Sequence, residues 1–435
     1  MNDSVLGKLN LGDVPVARPV GRLSAVSGLL LEVTGYAFET GQLARIETAS
    51  NDWLDARVVG FREGVSYLMP FRPAEGLTAG ARVFGDEGAR TLSIGAAWRG
   101  RIVDGLGEPI DDRGPLVGDA VLDLAPPRVN PLRKQPVDGV MDVGVRAIDG
   151  MLTLGRGQRV GLFAGSGVGK SVLLGMIARQ TAADVVVVGM IGERGREVRE
   201  FIEHSLGPEG LSKAIVVVAP ADESPLMRLM ATELCHAIAT HFRDAGNDVL
   251  LMIDSLTRYA MAQREIALAL GEPPATRGYP PSVFGMLPRL VERAGNGEGV
   301  GSMSAIYTVL AEGDDEQDPV VDTARAILDG HIMLSRDLAS QGHYPAIDVL
   351  RSVSRCMSLV APREQIDAVR KVKQMMSRYA NVRDLIPLGG YVAGADPVTD
   401  HAVKMHDRIE AFLCQAQDEL APRQTTLDIL TEIAA

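Results

Sequence analysis

Cysteine is scarce in this sequence, with Cys235, Cys356 and Cys414 the only three in 435 residues. They lie far apart and without the short spacings of a metal knuckle, which argues against a disulfide framework or a thiolate zinc site and leaves free buried thiols as the expectation. Aromatic residues make up only 4% of the chain, and no apolar run approaches the ~18 to 20 residues of a spanning helix. The opening stretch MNDSVLGKLNLGD has neither a basic start nor an apolar centre, so no secretion signal is read and the cytoplasm is the expected compartment. Positive charge is in short supply too: 44 Lys and Arg stand against 56 Asp and Glu, for a net charge of −12. That balance argues against a large phosphate-backbone footprint and so against nucleic acid as a partner.

What is abundant is small residues in one place. Ala164-Gly165-Ser166-Gly167-Val168-Gly169-Lys170-Ser171 reads as a phosphate-binding loop. The absence of side-chain bulk lets consecutive backbone N–H groups turn inward around an anion, while Lys170 adds a point charge and Ser171 a hydroxyl for a metal. Ala164 stands where the strict pattern has its first glycine, and alanine is small enough to keep the turn. Arg159 to Phe163 before the loop suits a short buried strand, and SVLLGMIAR after it has helical spacing, which puts the loop at a helix N-terminus.

The remainder divides by pattern. Residues 1–17 show no sustained periodicity and are read as a tail. Residues 18–89 contain short runs rich in β-formers, such as LARIET, ARVVGF and VSYLMPF, between Gly, Asn and Asp clusters, which predicts a small β-barrel or sandwich. Leu92 to Asp112 and the proline-rich Ala125 to Pro136 read as connecting strand and linker. Residues 90–360 carry continuous aliphatic runs (DVVVVGMI, AIVVV, VLLMI, AIYTVL) separated by mostly helical stretches. Such runs are buried on both faces, as in an α/β fold with a mainly parallel sheet. Residues 361–435 turn amphipathic and helical and are expected to form a C-terminal helical domain.

In a doubly wound sheet the chemistry gathers beyond the C-terminal ends of the strands. Two of those ends carry acids. VLLMI delivers Asp254, suited to holding Mg²⁺ through water opposite Ser171; the plain alternative is a helix N-cap. DVVVVGMI delivers Glu193, suited to polarising a water beside a γ-phosphate; the plain alternative is a surface ion pair with a neighbouring arginine.

GLFAGSGVGKS, IGERGREV, IDSLTRYAMAQREIALALGEPPATRGYPPSVF, TVLAEGDDEQDP, ARAILDGHIMLSR and HYPAIDVLRSVSR together resemble the ATPase of the flagellar and type III secretion export apparatus. That family is similar to the catalytic subunit of rotary ATP synthases. The resemblance spans about residues 17 to 415 and leans toward the flagellar branch, with the virulence injectisome branch as the alternative. It implies a RecA-like P-loop core, ATP as substrate and Mg²⁺ as cofactor. Gly165, Ser166, Gly167, Val168, Gly169, Lys170, Ser171 and Val172 match the nucleotide-binding loop, with Ser171 and Asp254 on the metal side. Lys170, Glu193 as base, Arg194 and Arg355 match catalytic positions. Arg194 and Arg258 match residues of the phosphate pocket, and Tyr344 the aromatic that stacks on adenine. Arg355 matches an arginine that the family inserts into a neighbouring subunit's site.

The implied partners are further copies in a homo-oligomer, expected to be a hexameric ring, a central stalk protein, a stator-like regulator, the export gate, and export substrates with their chaperones. That places the protein at the inner-membrane export apparatus by peripheral contact. Gly278-Tyr279-Pro280-Pro281 and Glu312-Gly313-Asp314-Asp315 resemble segments that touch the stalk; the plain reading of both is solvated turns. Residues 1–17 depart from the flagellar pattern, which usually has a longer helical extension that docks the regulator. A non-catalytic ring subunit would lack the glutamate after the second strand, yet Glu193 is present. An RNA translocase would want basic and aromatic residues interleaved in the barrel, and the sequence has few aromatics.

Overall fold

The computed structural model of the protein describes residues 20–85, 92–124, 129–311 and 318–435. The tail at 1–17 and the Glu312 to Asp315 segment lie outside the described residues. The described chain falls into two compact units, one on each side of the 90/91 boundary.

The first unit is a closed antiparallel barrel. Its strands, in chain order, are Val20–Ser27, Leu30–Thr34, Leu43–Glu47, Trp53–Arg62, Val65–Pro70 and Arg82–Gly85, and round the barrel they run first, second, fifth, fourth, third, sixth. Alternation turns one face inward, where Leu23, Leu31, Val33, Ile46, Val58, Leu68 and Val83 make the core. Closure removes exposed strand edges. Glu63 and Gly64 link two strands with φ of +52° and +80°, both positive as a two-residue hairpin turn of the right twist requires.

The second unit is built on an eight-stranded sheet. Across it the order is Ile347–Ser354, Gly330–Leu334, Arg159–Ala164, Ser302–Leu310, Asp248–Asp254, Val185–Ile191, Ala214–Ala219 and Ile102–Asp104. All neighbours are parallel except the first pair. Every residue of Val185–Ile191 and Ala214–Ala219 is buried, which is why these strands read as unbroken aliphatic runs. The stretch read as a connecting strand, Leu92 to Asp112, supplies the outermost strand of this sheet. That strand is three residues long, with only Val103 fully buried.

The helices expected at 361–435 are Arg363–Val382, Pro397–Leu413 and Arg423–Ala434. They share one hydrophobic core with the nucleotide-loop region, through Val372, Ile409, Phe412 and Leu430. Gln365 Nε2 donates to the carbonyls of Asp149 and Gly150 and to Thr153 Oγ1, at 2.7 to 3.0 Å. No helix among the described residues is long and apolar enough to cross a membrane. All three cysteines are free, as expected, though Cys414 is half-buried rather than buried.

Candidate active site

The loop between strand Arg159–Ala164 and helix Lys170–Gln180 is shaped by its glycines. Gly167 and Gly169 have φ of +76° and +86°, left-handed values that cost a residue with a Cβ about 1 kcal/mol or more. Such winding suits a loop whose N–H groups turn inward toward an anion, with the helix N-terminus adding its partial positive charge. Val168 is buried in the core, so it contributes backbone alone. Ser166 and Val172 are exposed at the cleft.

Sheet order brings the acids to this loop. Strand Ser302–Leu310 separates the loop's strand from Asp248–Asp254, and Val185–Ile191 comes next, with Met190 in register with Asp254. Lys170 Nζ donates to Asp254 Oδ1 and to Glu193 Oε1 at 3.4 Å. Asp254 Oδ1 also accepts from Thr308 Oγ1 at 2.6 Å, while Asp254 Oδ2 is buried with no partner. The N-cap of the next helix is Ser255, whose hydroxyl accepts from Arg258 N at 3.2 Å; Asp254 therefore does not fill that simpler role.

Charges in the cluster perturb one another. Burial pushes the Glu193 carboxyl up to about 7, with Lys170 pulling the other way and Asp254 adding to the rise. For Lys170 burial is the largest single influence and lowers its pKa, but the charges and hydrogen bonds of Asp254 and Glu193 together outweigh it, and the net shift is upward. A cationic lysine and a carboxyl poised near neutrality thus share one buried corner.

The cleft over the loop has a volume of about 630 Å³ and is lined by Gly165, Lys170, Ser171, Glu193, Arg194 and Arg258 among others. Arg258 packs against Gly192, where a Cβ at φ +70° would sit 2.8 Å from Arg258 Cβ. The Arg258 Nε is buried without a partner. Arg194 is 80% exposed and pairs loosely with Glu197, at 3.8 Å. Tyr344 stands beside the loop, its Cε1 3.4 Å from where a Gly169 Cβ would lie. Arg355 does not join this cluster. It is exposed after strand Ile347–Ser354, its Nη2 donating to Arg325 O at 3.4 Å.

Thr308 and Arg336 also belong to this neighbourhood and escaped sequence reasoning. Thr308 sits on an aliphatic strand where its hydroxyl looks like a β-branched filler; Arg336 reads as an ordinary first-turn residue but lines the cleft. Of the stretch Gly278 to Pro281, Tyr279 is buried beneath Arg264, 5.2 Å from its guanidinium, and Pro281 is exposed at the start of helix Pro281–Val291.

The residues fit a magnesium ion bound with a nucleotide. No group of three or more His, Cys, Asp or Glu able to hold a metal occurs among the described residues, and such a dedicated cage is not what Mg²⁺ needs when phosphates and waters supply most ligands. The buried, unpartnered Asp254 Oδ2 is the feature that suits it.

Comparison with known proteins gives the same direction. Residues 144–354 match the family model of the ATP synthase alpha/beta nucleotide-binding domain, and residues 361–432 match that of the T3SS EscN ATPase C-terminal domain. The chain is 52% identical to the flagellum-specific ATP synthase of Salmonella typhimurium, covering 96% of this chain and 94% of the relative. It is 46% identical to the type 3 secretion system ATPase of Xanthomonas euvesicatoria, covering 97% and 96%. Among solved structures, the assembled ATPase EscN of enteropathogenic E. coli aligns with a TM-score of 0.89 at 40% identity, over 95% of this chain and all of that one. EscN in complex with its central stalk EscO aligns at 0.87, also at 40% identity, over 95% of this chain and all of that one.

Proposed function

This chain belongs to the family of flagellar and type III secretion ATPases built on the ATP synthase alpha/beta nucleotide-binding domain, and from that premise we propose that it hydrolyses ATP to energise protein export. The observation that carries the reading is the cluster of Lys170, Glu193 and Asp254 at the mouth of the phosphate loop. Two flagellar relatives reach 52% identity, and this favours the flagellar branch, although other flagellar relatives at 44 to 47% stand level with the type 3 secretion relative at 46%.

In this reading the loop N–H groups of residues 165–171 and the Lys170 ammonium bind the β- and γ-phosphates, phosphate oxygens competing with the two carboxylates for that ammonium. Glu193, once ionised, accepts a proton from water as the water oxygen bonds to the γ-phosphorus. The bond from that phosphorus to the bridging oxygen breaks, and ADP leaves with the electron pair. A magnesium ion, when bound, would be held by Ser171 and, through water, by Asp254, and would neutralise charge on the phosphate oxygens. Arg258, walled by Gly192, borders the phosphate end. Tyr344 offers its ring to adenine. Arg194, exposed at the rim, is the member least fixed by its surroundings.

Arg355 acts in trans. It projects from the surface outside its own chain's cleft, so completing a site requires a neighbouring copy, and a ring of six is the assembly proposed. The barrel, residues 18–89, serves assembly, and EscN bound to a central stalk supports a stalk partner here. A stator-like regulator, the export gate and chaperoned substrates complete the proposed surroundings at the inner membrane. The test is phosphate release from ATP with and without Mg²⁺. Wild-type protein releases phosphate only with the metal, and Lys170→Ala loses at least about a hundredfold in rate. Unchanged turnover by Lys170→Ala would remove the loop from the reaction.

A further inference from the structure

Tyr344 lies in the short connection between helix Arg336–Ser340 and strand Ile347–Ser354, with its ring 45% exposed beside Gly169. A ring that is to receive a base must be held at a fixed height above the loop, yet this connection makes few bonds to the sheet. Two of the bonds that hold it come from far along the chain. His343 Nδ1 donates to Glu410 Oε2 at 2.7 Å, and the Tyr344 carbonyl accepts from Gln415 N at 2.9 Å. Glu410 is on helix Pro397–Leu413, and Gln415 lies just past its end.

Both anchors are themselves fixed. The His343 side chain is 5% exposed and its Nε2 is buried without a partner, so Glu410 is what orients the ring. Because a carboxylate only accepts, the proton must sit on Nδ1. His343 also holds the Glu410 carboxyl below its ordinary range, which keeps the acceptor charged. Gln415 is buried, and its side chain accepts from Arg146 N at 2.9 Å and donates to the carbonyls of Gly144 and Glu419 at 2.8 and 2.9 Å. Tyr344 is therefore tied to helix Pro397–Leu413 and the segment just past it as well as to the strand next to it in the chain.

We propose that the His343–Glu410 hydrogen bond is a positioning device that seats Tyr344 for the adenine ring, so that a residue of a C-terminal helix sets ATP affinity through the connection that carries Tyr344. This rests on the reading of Tyr344 as the adenine contact. Neither His343 nor Glu410 lines the phosphate cleft, so the device acts on the base and not on the phosphates. The probe that separates the two is inorganic tripolyphosphate, which can occupy the phosphate loop but offers no base.

The test measures KM and kcat for ATP and the inhibition constant of tripolyphosphate on the full chain. Glu410→Ala should raise KM for ATP roughly ten- to a hundredfold, the scale of one charge-assisted hydrogen bond, with kcat within about twofold and tripolyphosphate inhibition unchanged. Glu410→Gln, whose amide oxygen still accepts from Nδ1, should restore most of the loss. Tyr344→Ala should raise KM at least as far, and adding Glu410→Ala to it should raise KM no further. If Tyr344→Ala raises KM and Glu410→Ala does not, the positioning role is overturned and the adenine reading stands. If Tyr344→Ala leaves KM unchanged, both fall. A matching rise in the tripolyphosphate constant would mean that the substitution loosens the whole site, which also overturns the proposal. Should Glu410→Ala fail to fold, His343→Phe keeps the ring volume, drops the donor and carries the same comparison.

Discussion

Glu193 couples the chemistry of the site to the stability of the fold, and the coupling has a sign. Its carboxyl is 7% exposed and is pushed from an ordinary 4.5 to about 7 by burial. A group whose pKa is raised on folding adds stability that is complete below the unfolded value and is lost as pH rises through the folded value. The wild-type protein should therefore lose stability between about pH 4.5 and pH 7. At 1.36 kcal/mol per unit, the loss reaches about 3 kcal/mol by pH 8. Glu193→Gln is neutral throughout and escapes it. For a unit the size of Thr91–Ala435, that difference raises the thermal midpoint of the variant by roughly 4 °C over wild type at pH 8, and by nothing at pH 4.5. The assay is a melting series on nucleotide-free protein across that range. Stability is the better readout, because ATP carries its own phosphate ionisation near pH 6, which would blur a rate profile. A constant offset between variant and wild type at all pH values, or a variant less stable at pH 8, would refute the argument that burial dominates at Glu193.

The same geometry makes two further outcomes testable. If Arg355 completes a neighbour's site, specific activity rises with protein concentration, Arg355→Ala removes most of that rise, and mixing Arg355→Ala with Glu193→Gln chains restores part of the activity. No recovery in assemblies shown to be mixed would count against a residue supplied in trans. Gly175→Ala should lower the thermal midpoint by about 3 °C although alanine is the better helix former by about 1 kcal/mol. A Cβ there would sit 2.3 Å from the Ser205 carbonyl oxygen, a backbone atom that cannot step aside, and overpacking of this kind costs ~1 to 3 kcal/mol or more. An unchanged or higher midpoint would show that Phe201–Leu206 yields.

Much of the fold was legible because its signals are physical and local. A strand buried on both faces must be aliphatic throughout, so Val185–Ile191, Ala214–Ala219 and Asp248–Asp254 announced themselves. Small residues before Lys170 could serve little else than a tight anion-binding turn. Glu193 and Asp254 stand where two aliphatic runs end, the edge at which a doubly wound sheet gathers its ligands, and the sheet brings both within reach of Lys170. What was not legible depends on partners distant in sequence. Ile102–Asp104 was legible as a connecting strand, but its place at the edge of this sheet depends on Ala214–Ala219. Thr308 gains meaning from Asp254 across a strand pair, and the support of Tyr344 by Glu410 spans more than sixty residues. No periodicity carries such pairings.

In the proposed mechanism Glu193 performs the proton-accepting step of ATP hydrolysis while the loop around Lys170 binds the nucleotide. Measuring phosphate release and ATP binding side by side on Glu193→Gln tests it most directly. Binding should stay within a few-fold of wild type and turnover should fall by about a hundredfold or more. Phosphate release at the wild-type rate, with binding intact, would contradict it.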